Sequence, residues 1–278
     1  MRTIDDGLIK RHADVRFRSE YDYALFEYYR SAKVLSHLQS CGQTVQGHVL
    51  DAGCGGGGMP VSFAEEAASV TALDLVNRFG DAGVRLTGER GIGNLRFLQA
   101  DGQYLPFASD TFDWVFSHAV IEHVADAPRY LRECGRVLKP GGRMYLSTAP
   151  YLSFAGAHLP RLRVPIPLHL LIGRKASFAT FRFLSRHADW TLRERADQNS
   201  FIKIARQNGK KADDLLELVR IQRLRGQIAA AGFTTLNEDL YLTGTFRGLP
   251  APLRNWIRDT PLTQDIAIGH VQYVLAKG

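Results

Sequence analysis

The stretch His48-Val49-Leu50-Asp51-Ala52-Gly53-Cys54-Gly55-Gly56-Gly57-Gly58-Met59 constrains the fold more than any other. A short apolar run ends in an acid, five glycines follow within six positions, and Pro60 to Ala68 then reads as a helix. Glycine tolerates φ > 0 and has no Cβ to hold a ligand away from the backbone. The unpaired N–H groups of a helix start face whatever sits against them. A strand that turns into a helix through glycines is how α/β proteins receive a nucleotide-like ligand. The usual dinucleotide fingerprint has no carboxylate two residues before its first glycine, so Asp51 points to a ligand with a cationic end.

The rest of the pattern alternates strand and helix. Val70 to Leu75 is a second strand, and its Asp74 lies about twenty residues beyond the glycines, the spacing of a βαβ unit. A carboxylate there can accept two hydrogen bonds from ribose hydroxyls. A helix around 76–90 follows, then a third strand, Leu95 to Gly102, containing Asp101. Thr111 to Ser117 is a fourth strand and leads into His118-Ala119-Val120-Ile121-Glu122-His123-Val124. Pro128 to Leu138 has helical spacing with Asp126 as its cap. Lys139-Pro140-Gly141-Gly142 ends that helix, and Arg143 to Thr148 is a fifth strand. Ahead of the glycines, residues 14–40 read as one helical stretch with Tyr21, Tyr23, Phe26, Tyr28 and Tyr29 crowded into its first part.

Asp51, Gly53, Gly55 and Gly57, together with Arg136-Val137-Leu138-Lys139-Pro140-Gly141-Gly142, resemble the first motif and the fifth-strand lead-in of class I S-adenosylmethionine-dependent methyltransferases, of the type 11 kind. The resemblance runs from about Gly47 to Pro150. It implies a doubly wound, Rossmann-like α/β fold with a seven-stranded sheet whose last strand is antiparallel, and S-adenosylmethionine as cofactor. It assigns Asp51, Ala52, Gly53, Cys54, Gly55 and Gly57 to the amino acid end of that cofactor. Asp74 and Leu75 fall to the ribose, Asp101, Gly102 and Gln103 to the adenine, and Ser117 to the site beside the first turn. His118 and His123 are the catalytic candidates, and a neutral His is a competent base near pH 7. Some relatives bind a metal through Glu-x-x-Glu-His. Here the first place of that motif is Ala119, so the expectation is that no metal binds.

Beyond Pro150 the family pattern thins. Residues 151–230 carry fifteen Lys/Arg and six Asp/Glu, a balance of +9 against +7 for the whole chain. The segment is too long for an ordinary connection, so 151–214 is read as a mainly helical, basic and aromatic substrate cap inserted after the fifth strand. Residues 1–46 then form a helical segment over the cleft, and 47–150 the cofactor-binding core. Residues 215–278 supply the last helix, with Leu215, Leu216, Val219, Ile221, Leu224 and Ile228 on its apolar face and Gly232 at its end. Strands at about Thr234–Leu242 and Gly269–Ala276 complete the sheet.

The expected activity is methyl transfer to a small-molecule, sugar or lipid-linked acceptor, at oxygen and by direct displacement. Two alternatives stand beside it. One is a nucleic-acid methyltransferase using the basic cap, disfavoured because Ser117-His118-Ala119-Val120 replaces the Pro-Pro motif of amino-methylating nucleic-acid enzymes. The other is an inactive cofactor-binding protein. An apolar content of 45% suits a globular core, and no apolar run reaches the roughly 18 residues of a spanning helix. Met1 to Asp6 lacks an export-type apolar segment, and Cys41, Cys54 and Cys134 show no metal spacing, so reduced thiols and a cytoplasmic location are expected. Leu162 to Ile172, with its flanking Arg and Lys, is the stretch suited to lie on an anionic membrane face. The acceptor is expected to carry negative charge, and the oligomeric state stays open.

Overall fold

The computed structural model describes residues 4–16, 18–154, 162–163, 166–192 and 218–278. Helices α1 (Asp6–Val15) and α2 (Glu20–Ser40) precede the first strand, where the sequence pattern predicts one helical stretch over 14–40. The break comes from capping. Ser19 Oγ accepts the Asp22 N–H at 3.0 Å and starts α2 afresh, as Asp5 starts α1 by accepting from Leu8 N–H at 2.8 Å.

The core then runs β1 (His48–Ala52), α3 (Gly58–Phe63), β2 (Ser69–Asp74), α4 (Phe79–Glu89), β3 (Leu95–Gln99), β4 (Phe112–His118), a 3₁₀ turn (Ile121–His123), α5 (Ala127–Val137) and β5 (Leu138–Thr148). After it come α6 (Leu168–His187), α7 (Ile221–Ala230), β6 (Phe233–Leu242), three short helices α8 (Gly244–Arg247), α9 (Ala251–Asp259) and α10 (Pro261–Ala267), and β7 (Ile268–Lys277). The seven strands lie in the order β3-β2-β1-β4-β5-β7-β6. Pairings from β3 to β5 are parallel, and β7 runs antiparallel to both β5 and β6. The chain leaves β1 toward one edge and β4 toward the other, so the crevice of a doubly wound sheet opens at their carboxyl ends.

Each strand residue faces one of two apolar layers, with period two. Val49, Trp114, Phe116, Tyr145 and Val274 pack on Leu35, Leu38 and Phe63 of α2 and α3. Leu50, Val115, Met144, Leu146 and Tyr273 pack on Tyr130, Leu131, Leu224 and Ile228 of α5 and α7. Burying such a side chain is worth about 1.5–3 kcal/mol, and covering both faces is what parallel strands require. The glycine turn allows a close approach: Gly57 has φ +83°, and a Cβ there would lie 2.9 Å from Gly83 Cα and from the Phe97 ring.

Several boundaries differ from the sequence reading. β5 begins at Leu138, which pairs with Phe112; the next pair is Trp114 with Arg143, so Lys139 to Gly142 form an irregular bulge in the strand, with Gly141 at φ +72°. The closing helix begins at Ile221, with Gly232 at φ +84° just past its end. Leu215 and Leu216 lie outside the described residues, as does much of the expected cap. Its described part is mainly α6, which Gly173 at φ +73° interrupts. No helix among the described residues is long and apolar enough to cross a membrane.

Candidate functional site

A cavity of about 260 Å³ opens at the carboxyl ends of β1, β2 and β4. Ala52, Gly53 and Gly55 line it from the first turn, and Asp74 and Leu75 from the end of β2. Asp101, Gly102 and Gln103 come from the loop after β3, and His118 and His123 from the end of β4 and the 3₁₀ turn. These are ten of the fourteen residues expected there. Asp51, Cys54, Gly57 and Ser117 are buried and do not line it. The sequence reading did not single out Glu27 and Arg30 of α2, Arg78, or Tyr130 of α5, and all four line the cavity. Only Tyr23, in the aromatic run, gave a sign that α2 forms a wall. Among the described residues none after Tyr130 lines the cavity, so the described part of 151–214 supplies no lining.

The acids are held by their own loops. Asp74 Oδ2 accepts the Gly55 N–H at 2.9 Å and Oδ1 the Val76 N–H at 3.0 Å. Each oxygen keeps a second lone pair for a ligand hydroxyl. Asp101 Oδ1 accepts the Gln103 N–H at 2.8 Å, and Gln103 Oε1 accepts the Asp126 N–H at 2.8 Å. Tyr130 Oη donates to the Ala52 carbonyl at 2.8 Å and lies 2.9 Å from Ser117 Oγ, which ties β1, β4 and α5 together behind the turn. Gly53 is the turn's closest point on the other side, since a Cβ there would run into Val120.

Charge is unevenly distributed. Burial pushes the Asp51 carboxyl well above the usual carboxylate range, and the nearby charges of Glu27 and Asp74 push it further. Burial also raises Glu27, with Arg30 and Arg78 opposing it. Arg30 Nη2 lies 3.4 Å from Glu27 Oε1, and Arg78 Nη2 is 3.1 Å from Glu20 Oε2. Three acids thus lie close together, Glu27 and Asp74 in the cavity lining and Asp51 buried near them, and a ligand carrying positive charge would relieve their mutual repulsion. S-adenosylmethionine carries such charge on its sulfur and its amino group, together with a ribose and an adenine, so these donors fit it.

At the mouth, His118 Nδ1 lies 2.8 Å from Ser147 Oγ on β5, and the ring stacks on Tyr145 at 6.2 Å and 7°. With Nδ1–H donating to the serine, Nε2 becomes the proton acceptor. The following residue, Ala119, has φ +56°, an uncommon conformation for a side chain with a Cβ. Glu122 is buried and accepts from Thr148 Oγ1 at 2.8 Å, which gives it a place in the packing.

Residues 50–146 match a family described as a methyltransferase domain. An uncharacterized methyltransferase YcgJ of Bacillus subtilis is 30% identical over 151 residues, covering 50% of this chain and 60% of that protein. A ubiquinone biosynthesis O-methyltransferase of Coxiella burnetii is 32% identical over 101 residues, covering 36% of this chain and 43% of that one. The chain therefore spans about half the length of these curated relatives. Among solved structures, an S-adenosylmethionine-dependent methyltransferase of Mesorhizobium loti superposes with a TM-score of 0.55 at 17% identity, over 87% of this chain and 96% of that one, a likeness of fold.

Proposed function

We propose that this chain, whose residues 50–146 match a methyltransferase-domain family, is a class I S-adenosylmethionine-dependent methyltransferase that transfers a methyl group to an oxygen of a small-molecule, sugar or lipid-linked acceptor. One observation carries the reading: Asp74, Asp101, the glycine turn and His118 all line a single cavity, and Asp51 at the start of that turn is buried. When bound, S-adenosylmethionine supplies an electrophilic methyl group on a positive sulfur. Asp74 would hold its ribose, and Asp101 with Gly102 its adenine. Glu27 and Asp74 in the lining, with the buried Asp51, would balance its charge. His118 would take the proton that an acceptor hydroxyl must lose. The acceptor at oxygen is supported by the name of the Coxiella relative.

Calorimetry with S-adenosylmethionine and its demethylated product tests the cofactor site. Asp74→Ala removes a charge-assisted pair of contacts and should cost about 1.5–3 kcal/mol, roughly 10- to 150-fold in affinity. Equal affinity in the parent and the variant would take the ribose role from Asp74. A screen over acceptor classes, read as a mass gain of one methyl, tests the reaction.

A further inference from the structure

We propose that His37, Cys41 and Asp239 form a binding site for a single divalent metal ion of the zinc class. His37 and Cys41 are four residues apart at the end of α2, where the Cys41 N–H still donates to the His37 carbonyl at 3.1 Å. That spacing stacks both side chains on one helix face. The face meets β6 at the sheet's edge, where Asp239 lies. Cys41 Sγ is 3.9 Å from His37 Nε2, and His37 Nδ1 is 3.5 Å from Asp239 Oδ2. One ligand atom from each residue can be chosen so that all lie within 4.8 Å of one another, and among the described residues no other such group of three forms.

The dimensions suit a small ion. Zinc binds sulfur at about 2.3 Å and imidazole nitrogen at about 2.0 Å, so a tetrahedral site sets its sulfur and nitrogen roughly 3.6 Å apart. The two short distances use opposite ring nitrogens of His37, so an ion takes one of them, and the three ligand atoms, now within 4.8 Å of one another, draw in by up to about 1.5 Å through side-chain rotation. A thiolate beside an imidazole selects zinc over magnesium or calcium, which prefer oxygen alone. Asn237 Nδ2 donates to Asp239 Oδ2 at 2.7 Å and holds the carboxylate in place, the support that metal-binding acids ordinarily have. The fourth position is left for water. The ion would fasten α2, which carries Tyr23, Glu27 and Arg30 along the cofactor cavity, to a strand two hundred residues later in the chain. The expectation of no metal rested on the Ala119-Glu122-His123 stretch, and this site is elsewhere.

Cobalt(II) reports directly on such a site. The full chain, stripped with chelator and titrated with cobalt alone, should saturate at one ion per chain. It should show a thiolate-to-cobalt charge-transfer band and the visible bands of four-coordinate cobalt, both erased by added zinc. The other two thiols are buried, and burial raises both Cys54 and Cys134, so the band should vanish in Cys41→Ser. His37→Gln and Asp239→Asn should weaken cobalt binding by about tenfold or more. Zinc should raise the melting temperature of the parent and leave that of Cys41→Ser unmoved, since an ion that binds only the folded chain stabilises it. Absence of the bands in the parent, or their survival in Cys41→Ser, overturns the site. No methyl transfer enters these readouts, so they stand or fall apart from the proposed activity.

Discussion

Two residues set what the cavity can do, and each makes a separate prediction. Asp51 is pushed up by burial first and then by Glu27 and Asp74. In the free protein it therefore holds its proton to a higher pH than an ordinary carboxyl. A cationic ligand favours the ionised form, so binding must displace that proton when the pH is low. Affinity for S-adenosylmethionine should thus be weaker at pH 5 than at pH 7, and Asp51→Asn should flatten the dependence. The same shift has the opposite sign for folding. A group with a raised folded-state pKa stabilises the folded chain at low pH and loses that contribution as pH rises through it. Identical affinities at both pH values in the parent would remove Asp51 from the binding energetics. His118 carries the second prediction. If it takes the acceptor's proton, His118→Ala should lower kcat by roughly 10²–10⁴-fold while cofactor affinity holds, because the ring supplies no cofactor contact in this reading. Ser147→Ala, which removes the 2.8 Å partner of Nδ1, should lower kcat by less. A folded His118→Ala variant within about threefold of the parent, far short of a lost base, would leave alignment as the main source of catalysis.

At the scale of elements, the parts of the fold written in local patterns were readable and the parts made by distant contacts were not. Strands β1, β2 and β4 announce themselves by apolar runs ending in Asp51, Asp74 and at His118, because a strand buried on both faces must be largely apolar, while the edge strand β3 alternates around Leu95 and Phe97 ahead of Asp101. The Asp126 cap of α5 and the Gly232 end of α7 were equally local, and both appear as expected. The 14–40 stretch misled because apolar periodicity continues across the break, while the Ser19 cap that causes it is a single hydroxyl. The helices α8 to α10 are each nine residues or fewer, too short for a sequence window to show more than one apolar step such as Leu253, Trp256 and Ile257, and Pro252 and Pro261 sit in the first turns of two of them. In the site, motif positions gave the floor of the cavity. Glu27 and Arg30 share one face of α2 with Tyr23, at helical spacing, but only tertiary packing turns that face, Arg78 and Tyr130 to the cavity. His37, Cys41 and Asp239 are the extreme case, joined only because α2 crosses to β6.

At the scale of the whole molecule, charge is the property left to explain. The chain's +7 is smaller than the +9 of residues 151–230, so the remainder carries −2. Some of these cations are engaged within the fold, as Arg225 is with Glu238 at 2.9 Å. Exposed apolar side chains lie near two more of them in sequence: Leu171 is 69% exposed and Ile172 45%, just ahead of Arg174 and Lys175. An acceptor bearing phosphate or carboxylate, free or presented at an anionic surface, suits a segment of that composition. Electrostatic attraction of this kind acts over roughly 10 Å at 0.1 M salt and shrinks as salt rises. The acceptor's KM should therefore climb several-fold between low and high salt while kcat changes little. Cofactor affinity serves as the internal control, because its proposed site is the cavity whose lining runs from Tyr23 to Tyr130. If KM stays flat while the cofactor site remains intact, the cations of 151–230 form a solvated face, and the acceptor is recognised by its apolar and hydrogen-bonding groups alone.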